Sequence, residues 1–411
     1  MTDAPAIMAI TSQLPWPLDR GGHLRSFHIM RSLARHFPLT LVTSLSSSDP
    51  VDLAPFLASG ITLQSATTRT NGSFLRELPQ VLSSALAGEP YVCFRRHDRP
   101  AIRQAIRAEL ARVRPSLAYL DHLDSIVFAD LLAGIPTIVD LHNVYSTLVR
   151  RTAAESTGLR RSYLHRESRL LASMERRAAE LADGLFAVSE EDRVHFAGLS
   201  ETPVHLIPNG VDCAAYEDLP TGGRSGPPLI LYVGTLSWGP NAAAALHLVR
   251  NVLPQIRQTI PDALVRIVGR QPPADLLALH GNPGVEVTGG VDDVRPHLRA
   301  AHVLAVPLEA GGGSRLKILE AFAAGLPVVS TPVGCEGLEV SDGTHLVIAP
   351  RGEFARATVA LLRDRPRADE LARNARELAR RRYDWEAVGG SAVEVVTQIM
   401  RRAGAQNQTP R

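Results

Sequence analysis

The sequence predicts an α/β protein built from two Rossmann-like, doubly wound parallel sheets. The chain has 411 residues, more than one hydrophobic core usually supports, so we expect two domains of similar size. Short apolar runs alternate with helical periodicity along most of the chain, which is typical of βαβ units with buried strands. Ligands in such sheets bind beyond the carboxyl ends of the strands, so we expect a site in a cleft between the two domains.

The predicted strands form two series separated by a linker-like segment. Residues 213–228 contain Pro220, Gly222, Gly223 and Gly226, a composition typical of linkers. We therefore predict an N-terminal domain over residues 1–212, a linker over 213–228 and a C-terminal domain over 229–384. The strands of the first series are 7–11, 39–44, 117–120, 137–141, 184–188 and 205–207, and those of the second are 229–233, 264–268, 285–288, 302–306, 327–330 and 346–348.

Composition excludes several classes of function. A net charge of +2 gives no reason to expect nucleic acid as a partner. Cys93, Cys213 and Cys335 are far apart and form no CxxC pair, so neither a zinc site nor a disulfide framework is predicted. The apolar run over residues 6–10 lacks a preceding basic region, and no run approaches the length of a membrane span. We expect a cytoplasmic protein.

Lysine is nearly absent from the chain. Of the 44 lysines and arginines, one is a lysine, Lys317. Arginine is dense over residues 95–114 and 150–177, where it predicts either helices with a solvated charged face or a surface that contacts an acidic membrane. Interleaved acids such as Glu167 and Glu175 favour the solvated face.

A glycine-rich helix start is the most informative feature of the second half. Three glycines, among them Gly312 and Gly313, follow the fourth predicted strand of this half. Ser314 comes next and is well placed to cap a helix over about residues 315–324. Glycines let the backbone approach a ligand closely, and the free N–H groups at a helix start attract anions. This segment predicts a bound phosphate.

The first turn of that helix carries two cations, Arg315 and Lys317. The helix dipole favours acidic side chains there, so two cations lower helix stability unless an anion is bound, and a diphosphate is the expected ligand. Glu320 follows and can accept two hydrogen bonds from a ribose or a sugar. The alternative, a glycine-rich corner with a surface salt bridge, is less favoured.

Several segments, in this order, resemble one enzyme family. They are LPWPLDRGGHLRSFHIMRSLA, DLHNVYS, ADGLFAVSEED and IPNGVD, followed by YVGTLSWGPN, IVGR, VTGGVDDVRPHLRAAHVLAVPL, GGGSRLKILEAFAAGLPVVST and RRYDWEAV. The chain resembles the retaining glycosyltransferases of the GT-B fold, more narrowly the bacterial group 1 (family 4) sugar transferases, with a likeness to the exopolysaccharide and cell-envelope subgroup. The resemblance covers essentially the whole chain. It implies a nucleotide-diphosphate sugar as co-substrate and no cofactor.

The chain departs from the family pattern in the predicted donor site. The family commonly carries two glutamates eight positions apart; Glu320 matches the second, whereas Gly312 stands at the first. The role of the nearby Glu309 stays open. Many relatives also bind the diphosphate with an arginine and a lysine just after the first strand of the C-terminal domain, and residues 235–241 contain neither.

The missing cations shift the expected diphosphate contacts to the helix start. The resemblance then implies that Arg315 and Lys317 hold the diphosphate, while Gly234 still allows the backbone to approach it. Asn241 becomes a candidate for the wall of the site. Arg270 and Val291 follow the second and third strands of this half, where the family grips the nucleotide base largely through backbone groups.

A second glycine-containing helix start follows the first strand of the chain. Gly21 and Gly22 precede a helix expected to begin near His23 or Leu24, so this loop also faces an anion by the same argument. In the resembled family the matching glycines approach the phosphates or the acceptor. His23 and Arg25 are assigned to the acceptor side.

His142 lies at the carboxyl end of the strand predicted over residues 137–141. The histidine that matches it in the family lies beside the transferred sugar, so we expect His142 to be catalytic together with Arg315, Lys317 and Glu320; a purely structural histidine is the alternative. Asp121 and His122 end the preceding strand and are weaker candidates.

The predicted activity is retaining, metal-independent transfer of a sugar, of the hexosyltransferase type, in polysaccharide biosynthesis. Arg315 and Lys317 would stabilise the departing diphosphate without a metal. The acceptor is expected to be a glycan, a lipid-linked glycan or a small molecule, with peripheral contact at the inner face of the membrane. The last helix, over about residues 385–402, is expected to pack back on the N-terminal domain. A catalytically silent nucleotide-sugar-binding protein and a nucleotide-sugar epimerase remain alternatives.

Overall fold

A computed structural model of the chain describes residues 5–46, 52–68, 88–90, 95–154, 156–219, 226–310 and 315–406. The chain divides into two compact units. The first comprises Met1–Pro208 together with Val388–Arg411, and the second comprises Asn209–Ala387. Each unit contains a parallel sheet with its own hydrophobic core.

The sheet of the first unit has seven parallel strands in the order β3-β2-β1-β4-β5-β6-β7, the doubly wound arrangement. Strands β1, β4 and β5 are buried along their whole length, which explains why they read as continuous apolar runs. The seven strands are β1 Ile7–Ile10, β2 Leu39–Ser46, β3 Thr62–Thr68, β4 Leu117–Asp121, β5 Thr137–Leu141, β6 Gly184–Ala187 and β7 Val204–Leu206.

Helices cover this sheet and anchor in the same core. The described helices of the N-terminal unit before β7 are α1 Gly21–Ala34, α2 Ala54–Leu57, α3 Pro100–Val113, α4 Tyr145–Ala154, α5 Gly158–Leu181 and α6 Glu190–Ala197, with 3-10 turns at Arg95–His97 and Leu123–Leu131. Ser189 caps the N-terminus of helix α6, and its hydroxyl accepts a hydrogen bond from the backbone N–H of Asp192.

The sheet of the second unit repeats the doubly wound order in six parallel strands, β10-β9-β8-β11-β12-β13. Its strands are β8 Leu229–Val233, β9 Leu264–Val268, β10 Val285–Gly289, β11 Val303–Val306, β12 Val328–Ser330 and β13 Val347–Ile348. Its helices are α7 Gly239–His247, α8 Leu253–Arg257, α9 Ala274–Leu277, α10 Arg295–Ala300, α11 Leu316–Ala323, α12 Phe354–Arg363 and α13 Arg365–Leu378, with π-helical segments Leu248–Val252 and Ala379–Tyr383.

The last helix, α14, spans Trp385–Gln406, and its residues from Val388 onward belong to the first unit. Val388, Ala392 and Val396 are buried there. The turn before it pairs with the start of the second unit, because the backbone of Val211 hydrogen-bonds to Tyr383 and Trp385.

The predicted α/β class with two doubly wound sheets is confirmed, and two details differ from the prediction. Strand β3 was not predicted, because its sequence TLQSATT is largely polar, as suits the edge of a sheet. The first part of the predicted linker is packed, since Cys213, Tyr216 and Leu219 are buried in the core of the second unit. None of the helices among the described residues is long and apolar enough to cross a lipid bilayer.

Candidate functional site

The cationic helix start lies at the carboxyl end of the second sheet, after β11. Arg315 is the N-cap residue of α11 and the helix begins at Leu316, although the sequence predicted a cap at Ser314. Gly312, Gly313 and Ser314 lie outside the described residues. The guanidinium of Arg315 is buried and lies 3.5 Å from a carboxylate oxygen of Glu336.

Lys317 points from α11 toward strand β8. Its Nζ donates hydrogen bonds to Oδ1 of Asn241 at 2.9 Å and to the hydroxyl of Tyr232 at 3.3 Å, and it lies 4.5 Å from the centre of the Tyr232 ring. The hydroxyl of Tyr232 also donates to Oδ1 of Asn241 at 2.8 Å. This cluster of Tyr232, Asn241 and Lys317 is the lysine cluster.

Gly234 directly follows β8 beside the lysine cluster, and because it has no side chain it leaves room for Lys317 and Asn241. A Cβ atom at this position would lie 2.9 Å from Nζ of Lys317 and 2.9 Å from Nδ2 of Asn241. The ammonium group of Lys317 therefore lies beside the segment where the sequence lacks the family's arginine and lysine. The positive charge of Lys317 comes from α11, not from the segment after β8, but it reaches the same end of the sheet.

Lys317 forms no ion pair with a carboxylate in the part of the chain that the structure describes. Burial and the nearby charge of Arg315 lower its pKa to about 7, although Glu320 opposes the shift. Arg315 has Glu336 beside it, whereas Lys317 has no carboxylate partner among the described residues, so a diphosphate would supply the negative charge that this helix start lacks.

Glu320 lies on the same helix as Lys317. Its Oε1 accepts a hydrogen bond from the hydroxyl of Tyr216 at 3.3 Å. Burial raises the pKa of Glu320 to about 7, against the opposing effects of Tyr216 and Lys317. The carboxyl group of Glu320 is held by the one phenol hydroxyl of Tyr216. Its oxygens can accept further hydrogen bonds from the hydroxyl groups of a ligand.

The ends of strands β9 and β10 place the predicted base-binding residues near Gly234. A Cβ on Gly269 would lie 1.8 Å from the carbonyl oxygen of Gly234, so the two loops touch backbone to backbone. Arg270 is exposed, and its Cγ lies 2.9 Å from the Cβ position of Gly290. Val291 is partly buried against the core of the unit. Their role in base binding stays a prediction.

Glu309, whose role the sequence left open, is exposed and forms an ion pair with Arg351. Arg351 also contacts the ring of His247, with its Nη2 2.9 Å from Nδ1. Glu309 is therefore held in a surface network of its own.

The N-terminal unit gathers a second group of polar residues at the carboxyl ends of β4 and β5. Nε2 of His142 lies 3.0 Å from Oδ1 of Asp121, and Oδ2 of Asp121 accepts a hydrogen bond from Ser26 at 2.7 Å. Burial favours a raised pKa for Asp121, but His142 and Ser26 hold it below its ordinary value. The contact between Asp121 and His142 fixes the orientation of the imidazole ring.

The other ring nitrogen of His142, Nδ1, faces the start of α1. A Cβ added to Gly22 would lie 3.7 Å from that nitrogen. Outside the neighbouring residues and the helix backbone, this Cβ would have no other atom within 4 Å. Gly21 and Gly22 lie in the first turn of the helix, which begins two to three residues earlier than the predicted start near His23 or Leu24. His23 folds back, with Nδ1 2.7 Å from the carbonyl oxygen of Pro17. The acceptor-side role of His23 stays a prediction.

The structure corrects the acceptor-side assignment of Arg25. Only 1% of Arg25 is exposed. Its guanidinium binds both carboxylate oxygens of Asp140 at 2.6–3.1 Å and donates to the carbonyl oxygens of Ile207 and Pro208 at 2.7 and 3.1 Å. Every contact is internal to the unit, so Arg25 holds strand ends together and cannot touch an acceptor.

Among the residues that the structure describes, one group of carboxylates and a histidine has the spacing of metal ligands. One atom each from Asp121, Asp140 and His142 lie within 4.8 Å of one another. Asp140 is already bound by the Arg25 guanidinium and by the Tyr119 hydroxyl at 2.5 Å. Its charge is therefore neutralised by a fixed internal cation, which leaves it poorly suited to coordinate a metal.

His122 follows β4 in a strained conformation, with φ at 77°. Its ring centre lies 4.7 Å from that of His142, and its Nε2 lies 2.5 Å from the hydroxyl of Tyr145. Burial, reinforced by His142, lowers the pKa of His122 to about 3, so the ring is neutral at physiological pH.

Sequence reasoning missed the partners that hold these groups. Asp140 is an acid inside an apolar strand, a signal that was available in TIVDL. Tyr119 and Tyr232 each interrupt an otherwise largely aliphatic strand, and each hydroxyl binds a polar partner in the buried interior. Tyr216 fell in the predicted linker, where no pattern pointed to it.

Two family models match the chain, one in each half. The model of glycosyl transferases group 1 matches residues 227–364, and that of glycosyltransferase family 4 matches residues 54–215. Together they cover most of the chain. The first contains the lysine cluster and the second contains His142.

Among curated proteins, glycogen synthase of Mycobacterium tuberculosis is 30% identical over 226 residues, 52% of this chain and 52% of that protein. Phosphatidyl-myo-inositol mannosyltransferase of Mycolicibacterium smegmatis is 29% identical over 207 residues, 47% of this chain and 51% of that protein. The chain spans about half the length of the curated relatives that it matches.

Among solved structures, the Anabaena protein HepE, crystallised with UDP and glucose, shares the fold of nearly the whole chain. The TM-score is 0.63 at 16% identity, covering 96% of this chain and 99% of that one. With both family models matched in their expected order and the two doubly wound sheets in place, the chain belongs to the group 1, family 4 glycosyltransferases of the GT-B fold.

Proposed function

We propose that the protein transfers a sugar, with retention of configuration and without a metal, from a nucleotide-diphosphate sugar to a glycan, lipid-linked or small-molecule acceptor. The lysine cluster is the observation that carries this proposal. It places the one lysine of the chain at the carboxyl end of the second sheet, beside a glycine that leaves room for it. A diphosphate fits this position because ligands of doubly wound sheets bind there.

The proposed chemistry is stabilisation of the leaving diphosphate. Arg315 and Lys317 offset its negative charge as the bond to the sugar breaks, and such electrostatic stabilisation is usually the largest catalytic contribution. Glu320 is proposed to accept hydrogen bonds from hydroxyl groups of the donor. In the N-terminal unit, His142, oriented by Asp121, is proposed to act in the transfer step.

The names of the relatives support the proposed range of acceptors. One curated relative is named a glycogen synthase and the other a phosphatidyl-myo-inositol mannosyltransferase, so a glycan and a lipid-linked acceptor both occur among related proteins. HepE was solved with UDP, which supports a nucleotide-sugar donor. We place the enzyme in the cytoplasm, in polysaccharide biosynthesis, with peripheral contact at the inner face of the membrane.

A catalytically silent nucleotide-sugar-binding protein is the second candidate. Gly312 in place of the first family glutamate favours it. A silent protein would bind the donor and leave it intact, whereas a transferase hydrolyses it slowly at most without an acceptor. An epimerase would convert the donor alone.

The test is calorimetric titration with UDP, GDP, ADP and dTDP in the presence of EDTA. We expect one nucleotide to bind, and the double substitution Arg315→Ala with Lys317→Ala to weaken it at least about tenfold, roughly 1.4 kcal/mol. Arg373→Ala, an exposed arginine on α13, is the control and should bind like the wild type. Incubation with the matching nucleotide sugars, with and without acceptors, then separates the three activities.

Two results would oppose the proposal. If no nucleotide binds without a metal, the metal-independent diphosphate site is wrong. If a nucleotide binds equally well to the double variant, the diphosphate lies away from α11 and the lysine cluster has a structural role.

A further inference from the structure

Helix α5 of the N-terminal unit is buried against the core from Ser168 onward and exposes apolar side chains in its first two turns. Its buried face includes Leu171 and Ala178, which belong to the core. Leu159 and Tyr163, four residues apart in the first two turns, are 91% and 51% exposed. Leu159 is the most exposed large apolar side chain among the residues that the structure describes. Burial in the core does not account for this exposed pair.

Arginines flank this exposed pair in the sequence. Residues 150–166 contain five arginines against one acid, Glu155, which itself lies outside the described residues. The five are Arg150, Arg151, Arg160, Arg161 and Arg166, and all but Arg166, which is half-buried, are exposed. Arg160 and Arg161 form no ion pair within the described parts of the chain, whereas Arg166 lies 3.2 Å from Glu167.

The hairpin formed by α4 and α5 is anchored at its base. Glu175 accepts hydrogen bonds from the backbone N–H and the hydroxyl of Ser146 at 2.9 and 2.6 Å, and Ser168 donates to the carbonyl oxygen of Ser146 at 2.9 Å. Glu175 is fully buried. The cationic, apolar end of the hairpin therefore projects from a fixed support.

We propose that the exposed end of this hairpin, formed by Arg150, Arg151, Leu159, Arg160, Arg161 and Tyr163, binds an anionic lipid bilayer surface. We call these residues the arginine–leucine tip. Leu159 and Tyr163 enter the boundary between headgroups and acyl chains, and the arginines bind the lipid phosphates while their heads remain hydrated. The inference assigns a surface to the proposed membrane contact and needs none of the transfer chemistry.

Charge and apolarity together favour a bilayer over other anionic partners. A nucleic acid would match the arginines but offers no apolar layer to cover Leu159. The lipid headgroup region supplies negative charge at the surface and apolar chains directly beneath it. Both features of the tip are then used in one contact.

The test is co-sedimentation of the full chain, without nucleotide, with vesicles of phosphatidylcholine alone or with 30 mol% phosphatidylglycerol (about one lipid in three, enough to give a strongly negative surface). We expect binding to the anionic vesicles only, weakened by added salt. Arg160→Ser with Arg161→Ser should weaken it at least about tenfold, because each arginine near such a surface contributes about a fivefold factor. Leu159→Ser with Tyr163→Ser should also reduce it.

A matched control removes the same kinds of residue elsewhere. Val194→Ser, Leu277→Ser, Arg299→Ser and Arg373→Ser delete two exposed apolar residues and two exposed arginines outside the tip, and should leave binding unchanged. Circular dichroism melting identifies any variant that fails to fold. No binding to anionic vesicles, or equal losses in the tip and control variants, overturns the proposal. Nucleotide titration of the same samples reports separately on the proposed function.

Discussion

Gly234 lies where the ammonium group of Lys317 reaches the end of strand β8. We expect Gly234→Ala to weaken the binding of UDP, or of whichever nucleotide the protein binds, by about tenfold. The new Cβ would lie 2.9 Å from Nζ of Lys317 and displace it. The Cβ would also lie 2.9 Å from Nδ2 and 3.0 Å from Cγ of the buried Asn241, whose amide is held by hydrogen bonds, so the free energy of unfolding should fall by about 1–3 kcal/mol. Titration calorimetry and chemical unfolding measure the two effects.

The control for this substitution is Gly239→Ala, at the start of α7, where a Cβ would meet no atom within 4 Å. It should bind nucleotide like the wild type. The double variant Gly234→Ala with Lys317→Met tests the cause, because it should bind no more weakly than Lys317→Met alone if both act through the same ammonium group. Fully additive losses would contradict this explanation.

At the level of single residues, the sequence predicted charges better than contacts. Arg315 and Lys317 were identified because cations at a helix start conflict with the helix dipole, and Glu320 because its carboxylate can accept two hydrogen bonds from a ribose or a sugar. Arg25 was placed on the acceptor side from its position in the chain, and the buried carboxylate of Asp140, 115 residues away, explains why that was wrong. Pairings across such a distance depend on the register of the sheet, which local pattern does not specify.

Helix α11 concentrates the electrostatic features of the second unit. It carries Lys317 and Glu320, each with a pKa of about 7, and its N-cap residue is Arg315. Burial raises the pKa of Glu320 and lowers the pKa of Lys317, so the charged form of each side chain is costly in the absence of a ligand. A bound diphosphate would favour the charged lysine.

The pKa of Lys317 predicts a pH dependence of nucleotide affinity. Below about pH 7 the amine is protonated and attracts the diphosphate; above it the free protein loses this charge, so affinity should fall by about tenfold between pH 7 and pH 9. A nucleotide diphosphate is already fully ionised over this range, because its last phosphate pKa is about 6. Calorimetric titration at half-unit steps measures the slope.

Two variants of the same helix assign the slope. Lys317→Met should bind more weakly and with little pH dependence over that range. Glu320→Gln should keep the slope, because it leaves the amine in place, although Glu320 also has a pKa of about 7. A slope that disappears in Glu320→Gln instead would show that the carboxyl group, not the amine, controls affinity.

At the level of elements, apolar runs predicted every strand except β3. The buried strands are continuous apolar runs because both faces are covered, and these are easily recognised. Strand β3 pairs at the sheet edge with β2, where Thr62, Gln64 and Ser65 can be polar without loss. Hydrogen bonding to β2 holds β3 in the sheet, so the sequence of β3 itself needs few apolar residues and does not predict a strand.

At the level of the whole molecule, the first unit is formed by two separate segments of the chain. The first unit is completed by the end of the sequence, because Val388, Ala392 and Val396 of α14 are buried within it. Ile399 reaches Gly184 at the start of β6, where a Cβ would lie 2.6 Å from its Cδ1. A fragment that ends at residue 208 would expose this apolar surface, so the stability of the first unit depends on the last helix.

Two neighbouring glycines of α14 test this dependence with opposite outcomes. A Cβ on the buried Gly389 would lie 2.0 Å from Oγ of Ser32, so Gly389→Ala should destabilise the first unit by about 1–3 kcal/mol through overpacking. Gly390 is exposed and would meet no atom within 4 Å, so Gly390→Ala should stabilise the helix by up to about 1 kcal/mol. Scanning calorimetry should order the melting temperatures with Gly390→Ala above the wild type and Gly389→Ala below it, a few degrees apart. If both substitutions raised the melting temperature equally, helix propensity alone would explain them, and the close packing of α14 against α1 would be wrong.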